Sequence, residues 1–157
     1  MRNRLIAAAL ALAVSGAAIA ARADQPLFVG KWHWNPKESS TAPGEPLPRD
    51  VVLNIASADK ARMQWSVTTI DAKGAQTVKS FAGTGDGKPG PIAGDPGTTG
   101  AFKLADTTME SVYTSADGGT DRSTCSVSSD RKKMTCRGTE SDGKGHSANY
   151  TDVYDRQ

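Results

Sequence analysis

Leu27-Phe28-Val29-Gly30-Lys31-Trp32-His33-Trp34-Asn35 alternates, with Phe28, Gly30, Trp32 and Trp34 on one face and Val29, Lys31, His33 and Asn35 on the other. This is the period-two pattern of a half-buried strand. Two of the chain's three tryptophans share that face, and a strand so aromatic needs a sheet to cover it. The sequence downstream supplies one. Val51 to Ala56, Ala61 to Ile70, Gln76 to Ala82, Ala101 to Ala105, Thr108 to Thr114, Arg122 to Val127, Lys133 to Arg137 and Ser147 to Arg156 read as further strands. Turn signals such as Asp71-Ala72-Lys73-Gly74, Asp117-Gly118-Gly119 and Asp142-Gly143-Lys144-Gly145 separate them. Short sequential strands with tight turns imply an antiparallel meander, and closing it into a barrel removes its exposed edges. The expected fold is all-β, a single meander closed into an up-and-down barrel of about 8–10 strands. Two stretches stand apart. Asn35 to Asp50 holds Pro36, Pro43, Pro46 and Pro48 and reads as a long first connection. Gly83 to Gly100 has seven glycines and three prolines and reads either as a loop or as one interrupted strand around Pro91-Ile92.

The segment before the opening strand has the form of an export signal. Arg2 and Arg4 precede an apolar run from Leu5 to Ala20, and Ala21-Arg22-Ala23 places small residues where a signal peptidase cuts. The expected division is a signal peptide at 1–23 and a β-barrel domain at 24–157, with cleavage after Ala23 and delivery to the periplasm or beyond. The apolar run is short for a membrane span and no later stretch approaches that length, so no stable membrane insertion is expected after cleavage. Three of the 19 Lys+Arg (Arg2, Arg4, Arg22) and none of the 17 Asp+Glu lie in the leader, so its removal takes the net charge from +2 to −1. The remaining basic residues are interspersed with acidic ones, which argues against nucleic acid or anionic lipid as a partner. Arg131-Lys132-Lys133 is the exception, and it falls at a turn.

Leu, Ile, Val and Phe make up only 18 of the 134 residues from Asp24 onward. A core this thin gains from a covalent staple. Cys125 and Cys136 are the chain's two cysteines, and an exported protein meets an oxidising compartment. With Asp130-Arg131 at the tip of a hairpin, residues whose numbers sum to 261 lie opposite each other. Cys125 then faces Cys136, and Val127 faces Met134 on the same side of the ribbon.

Phe28-Val29-Gly30-Lys31-Trp32 resembles the F-x-G-x-W opening of fatty-acid-binding proteins and the G-x-W of lipocalins. Val153-Tyr154-Asp155-Arg156 is similar to the last strand of that superfamily. The resemblance implies a lipocalin-like, calycin-type barrel in which Gly30, Trp32 and Arg156 are structural, the arginine packing over the tryptophan. The chain from Asp24 also resembles uncharacterised exported bacterial proteins that open with G-x-W followed by N-P-x-x-S, here Asn35-Pro36-Lys37-Glu38-Ser39. Those proteins end in V-Y-[DE]-x-Q, matched by Val153 to Gln157.

No catalytic, metal or cofactor constellation is legible. His33 and His146 form no metal-binding pair. The serines lack a G-x-S-x-G elbow, and Gly83 to Lys88 fails the phosphate-loop pattern. What remains is a cavity: Met63, Trp65, Phe102, Leu104 and Tyr113 are expected to line a barrel interior that holds one small, partly apolar molecule. Two other readings stand beside this one. The first is a non-catalytic envelope or protein-interaction module with a filled barrel, its protein partner unidentified. The second is a barrel isomerase or hydrolase, which requires titratable groups converging inside.

Overall fold

The computed structural model describes residues 26–41 and 46–157. The leader and its cleavage site lie outside them. Ten strands follow in order: β1 (Gly30–Trp34), β2 (Asp50–Ala58), β3 (Met63–Ile70), β4 (Gln76–Gly83), β5 (Asp86–Pro91), β6 (Thr99–Leu104), β7 (Thr108–Thr114), β8 (Thr120–Val127), β9 (Lys133–Ser141) and β10 (Ser147–Arg156). They form one antiparallel sheet in the order β4-β3-β2-β1-β10-β9-β8-β7-β6-β5. Chain neighbours pair throughout except at β4 and β5, where the nearest backbone link is an isolated bridge from Ser80 of β4 to Ala93, just beyond β5. The meander is therefore rolled into a barrel that β1 and β10 close in the middle of the sheet and that keeps a seam between β4 and β5.

Alternation decides what fills the barrel. Trp32, Ile55, Met63, Phe102 and Met134 are fully buried, each on the inward face of its strand, and they pack into one cluster with Phe28, Trp65, Phe81, Met109 and the two cysteines. Phe28 lies in the turn before β1 instead of on the strand. The Trp32 indole Nε1 donates to the Phe28 carbonyl at 2.9 Å and fixes that turn. Gly30 starts β1 at φ +143°, and a β-carbon there would collide with Arg156 Nη1, so glycine is needed on both counts. Arg156 lies opposite Trp32 in the ladder, with its guanidinium carbon 3.9 Å from the ring centroid. It donates to the carbonyls of Leu27, Val29 and Arg131 at 2.6–2.7 Å.

β8 and β9 pair in the register set by the cysteines: Cys125 faces Cys136 and Val127 faces Met134, and the disulfide is formed. Arg131 adopts φ 60° at the tip, while Asp130 Oδ1 accepts from Ser128 Oγ and the Lys132 amide. Replacing both cysteines by serine is expected to lower stability by about 3 kcal/mol, the loop-closure entropy of an eleven-residue separation. Urea unfolding of the double variant checks this through a lower midpoint, with a somewhat steeper slope as the uncrosslinked unfolded chain exposes more surface.

The Gly/Pro stretch contains a strand, β5, with the sequence DGKPGP. It pairs with β6 through a register shift between Asp86 and Pro89. Proline is tolerated because β5 ends the sheet order, where its missing donors face no partner strand. The first connection also adds to the sheet. Ser40 exchanges both backbone hydrogen bonds with Thr151 at 2.8 Å, and the Ser39 hydroxyl accepts from the Val153 amide at 2.9 Å. His33 lies on the outer face, paired with Asp50 at 2.5 Å.

Candidate functional site

A meander places every odd-to-even connection at one end of the barrel. The Pro-rich first connection, the β5–β6 loop of the Gly/Pro stretch and the turns β7–β8 and β9–β10 are accordingly together at that end. The opposite end is plugged by Trp32, Met63 and Met134 under the Arg156 clamp. Between the two lies a cavity of about 530 Å³, within the range that holds a drug-sized molecule.

The cavity has two characters along its depth. Ile55, Met63, Trp65, Phe102, Met109 and Met134 line the deep half. Trp65 meets Phe102 edge-on at 5.8 Å and Tyr113 at 6.3 Å between ring centroids, and Phe81 and Phe102 tilt together at 4.6 Å. The indole Nε1 of Trp65 is buried and has no hydrogen-bond partner among the described residues. Toward the open end the wall turns polar: Tyr113, Asp121, Glu140, Tyr150 and Asp152 line it, with Tyr154 below them. All three tyrosines of the chain are in this wall.

Of the five residues expected to line a cavity, Met63, Trp65, Phe102 and Tyr113 do so. Leu104 does not. It shares the inward face with Phe102 but sits one pair closer to the closed end. There its amide donates to the Gly85 carbonyl at 3.0 Å, and its side chain packs against Gly85, filling the space a β-carbon there would take. Asp121, Tyr150, Asp152 and Tyr154 were not picked out by sequence reasoning.

Strand geometry explains how these four are brought together. Tyr150 and Gly138 are paired across β10 and β9. A β-carbon on Gly138 would overlap the Tyr150 ring, so the glycine leaves room for the ring to lie across its neighbour strand. The Tyr150 hydroxyl thereby reaches Asp121 Oδ1 on β8 at 2.7 Å. Asp152 Oδ1 accepts from Trp34 Nε1 at 2.8 Å.

Burial pushes the Tyr113 hydroxyl well above its ordinary value near 10, and the Asp121 charge adds to this. Tyr150 is raised by burial and then by Asp121, and Tyr154 by burial and then by Asp152. The tyrosines are therefore protonated donors at any physiological pH, not bases. Burial also raises the Asp152 carboxyl, against the lowering effect of the Trp34 hydrogen bond. At the rim, Lys79 of β4 pairs with Asp95 of the β5–β6 loop at 2.6 Å and ties the seam. Asp142 pairs with His146 at 2.8 Å. Among the described residues no group of three or more His, Cys, Asp or Glu is placed to hold a metal ion.

No family model and no curated protein sequence matches the chain. Solved structures do. A mutant of the fluorescent protein UnaG superposes with a TM-score of 0.56 at 18% identity, covering 82% of this chain and 95% of that one. The REP1-NXSQ fatty acid transporter gives 0.55 at 16% identity, covering 82% and 95%. EF1p2_mFAP2b bound to DFHBI gives 0.50 at 12% identity, covering 83% and 94%. At such identities the likeness speaks for the fold alone, a closed antiparallel β-barrel that these proteins share.

Proposed function

We propose that this protein is an exported carrier that holds one small, partly apolar molecule in its barrel. The observation that carries this reading is the cavity of about 530 Å³, aromatic and apolar in its depth and bounded by loops at one end. An unpartnered donor on Trp65 favours a ligand that brings an acceptor, because a buried N–H without one costs free energy. Two structural neighbours support a carrier by analogy: one is a fatty acid transporter and another is bound to DFHBI. Export rests on the leader at 1–23, and the Cys125–Cys136 bridge accords with an oxidising compartment. The first connection and the β5–β6 loop, both at the open end, are the elements we assign to gating entry.

Nile red, a neutral apolar dye, tests the reading. It is expected to bind the processed chain at one site, with a blue-shifted emission and quenching of tryptophan fluorescence. Filling the cavity with Ser123→Phe, at an inward position of β8, should abolish binding while the far-ultraviolet spectrum is kept. Native mass spectrometry of protein taken from its own periplasm should show an adduct lost on denaturation. Dye binding that survives the filled cavity, or none in the parent, favours a filled-barrel interaction module instead.

A further inference from the structure

We propose that the ligand carries its polar end as a cationic amine, seated against the acidic, tyrosine-rich wall of the cavity with its apolar body toward the floor. This rests on the carrier reading and names the chemical class of what is carried.

The charge of the lining is one-sided. Among the described residues, six carboxylates face the cavity (Asp95, Asp117, Asp121, Glu140, Asp142 and Asp152) against a single ammonium, Lys79, and no arginine. Lys79 is already engaged by Asp95, so it offers little to a ligand anion. Three of the carboxylates belong to rim turns or loops. Asp95 holds Lys79, Asp142 holds His146, and Asp117 accepts from Ser115 and the Gly119 amide in its own turn. The other three are on the wall. Asp121 and Glu140 lie opposite each other across β8 and β9, and Asp152 follows on β10, two residues from Tyr150.

A carboxylate head entering here would meet like charge in a partly desolvated space, where Coulomb terms exceed those in water. An ammonium meets the opposite case. Asp121 accepts from the Tyr150 hydroxyl, and a carboxylate so placed strengthens its hydrogen bonding when the donor is an ammonium. Asp152 is raised by its burial with one indole donor as partner, and a cation beside it would return the carboxylate to its charged form. The rings of Tyr113, Tyr150 and Tyr154 add faces that attract a cation. A second observation points to the same occupant from the other end. Trp65 is 7% exposed, lines the deep half, and its indole N–H has no acceptor. Cation outward and acceptor inward thus describe an amphiphilic amine with an oxygen or similar acceptor on its apolar body.

The test uses a matched series with one tail and three heads, dodecylamine, dodecanol and dodecanoate, each below its micelle concentration and displacing Nile red from the disulfide-bonded, processed chain. The amine is expected to bind about tenfold tighter than the alcohol, the factor that one charge-assisted hydrogen bond supplies, and the carboxylate weaker than the alcohol. In the Asp121→Asn, Asp152→Asn double variant, which keeps shape and removes charge, the ratio of amine to alcohol affinity should fall to about one. The wild-type series stands by itself should that variant fold poorly. Dodecanoate binding as tightly as dodecylamine, or an amine preference that persists in the double variant, overturns the inference while leaving the carrier reading intact. If none of the three displaces the dye, and the dye itself does not bind the cavity, both fail together.

Discussion

Raising the pH beyond about 10 is expected to unfold this barrel steeply, with a loss of up to about 4 kcal/mol per pH unit. The reason is the tyrosine wall. In the unfolded chain the three hydroxyls ionise near 10, whereas the fold pushes all three upward, through burial first and the Asp121 and Asp152 charges second. The folded state then retains protons that the unfolded state releases. The stability these groups contribute is whole below the unfolded value and drains away as pH rises above it. With three groups in the same sense the slope approaches three protons. Since domains of this size are stable by roughly 5–15 kcal/mol, the fold should be lost near pH 12. Tyrosinate absorbance followed together with far-ultraviolet circular dichroism checks this, because the two signals should change in one cooperative step. Gradual ionisation of a folded barrel would contradict it. The Tyr113→Phe, Tyr154→Phe variant should shift the step to higher pH and flatten it.

Arg156→Ala is expected to cost about 4 kcal/mol and to lower the melting temperature by about 10 °C. Arg156 is the link between the chain's first described turn and its last strand. Its guanidinium satisfies the carbonyls of Leu27 and Val29 and also that of Arg131 in the β8–β9 turn. Truncation leaves acceptors in the first turn without donors, each costing about 1–3 kcal/mol where water cannot reach. It also removes the cation from the face of Trp32, worth about 1 kcal/mol. Arg156→Lys should recover less than half of the loss, because an ammonium cannot present a planar fork to three carbonyls. Thermal melts of both variants decide the point. A melting temperature for Arg156→Ala within about 2 °C of the parent would show that the clamp is dispensable.

Most of the architecture was legible because strand parity is unforgiving. Once Cys125 faces inward opposite Cys136, the register of the whole β8–β9 ribbon follows, and the structure keeps it from Thr120–Ser141 to Val127–Met134. The same parity contained the acidic wall: Asp121 and Ser123 share the face of Cys125. It stays hidden in the sequence because the strands read there begin at Arg122 and end at Arg137, short of Asp121 and Glu140, so neither carboxylate is given a face. β10 reverses the usual order. Val153 is its one branched aliphatic residue and does not turn inward. It is buried instead on the outer face, beneath the Asn35–Ser40 segment, whose hydrogen bonds bracket it. Tyr150, Asp152 and Tyr154 occupy the interior face as a result. β5 was only half legible, since DGKPGP has no strand-forming residue and owes its conformation to β6. Leu104 was read as cavity lining because parity fixes a face and leaves depth along the strand open.

The pairing of β1 with β10 also governs how this protein reaches its fold. Trp32 and Arg156, direct partners in the ladder, are separated by nearly the whole described chain. Every other ladder joins neighbours in sequence, across tight turns except for the longer β1–β2 and β5–β6 connections. The four strands β1 to β4 and the six strands β5 to β10 are each a local meander, and each can assemble on its own timescale. Their union requires closing a loop of more than a hundred residues, the slowest and entropically least favourable event in the process. A chain that emerges in order, first strand foremost, thus cannot seal its barrel until its last strand is out. Until then the edge of β1 that takes β10 stays unpaired, a template for pairing with other chains that only the finished barrel removes.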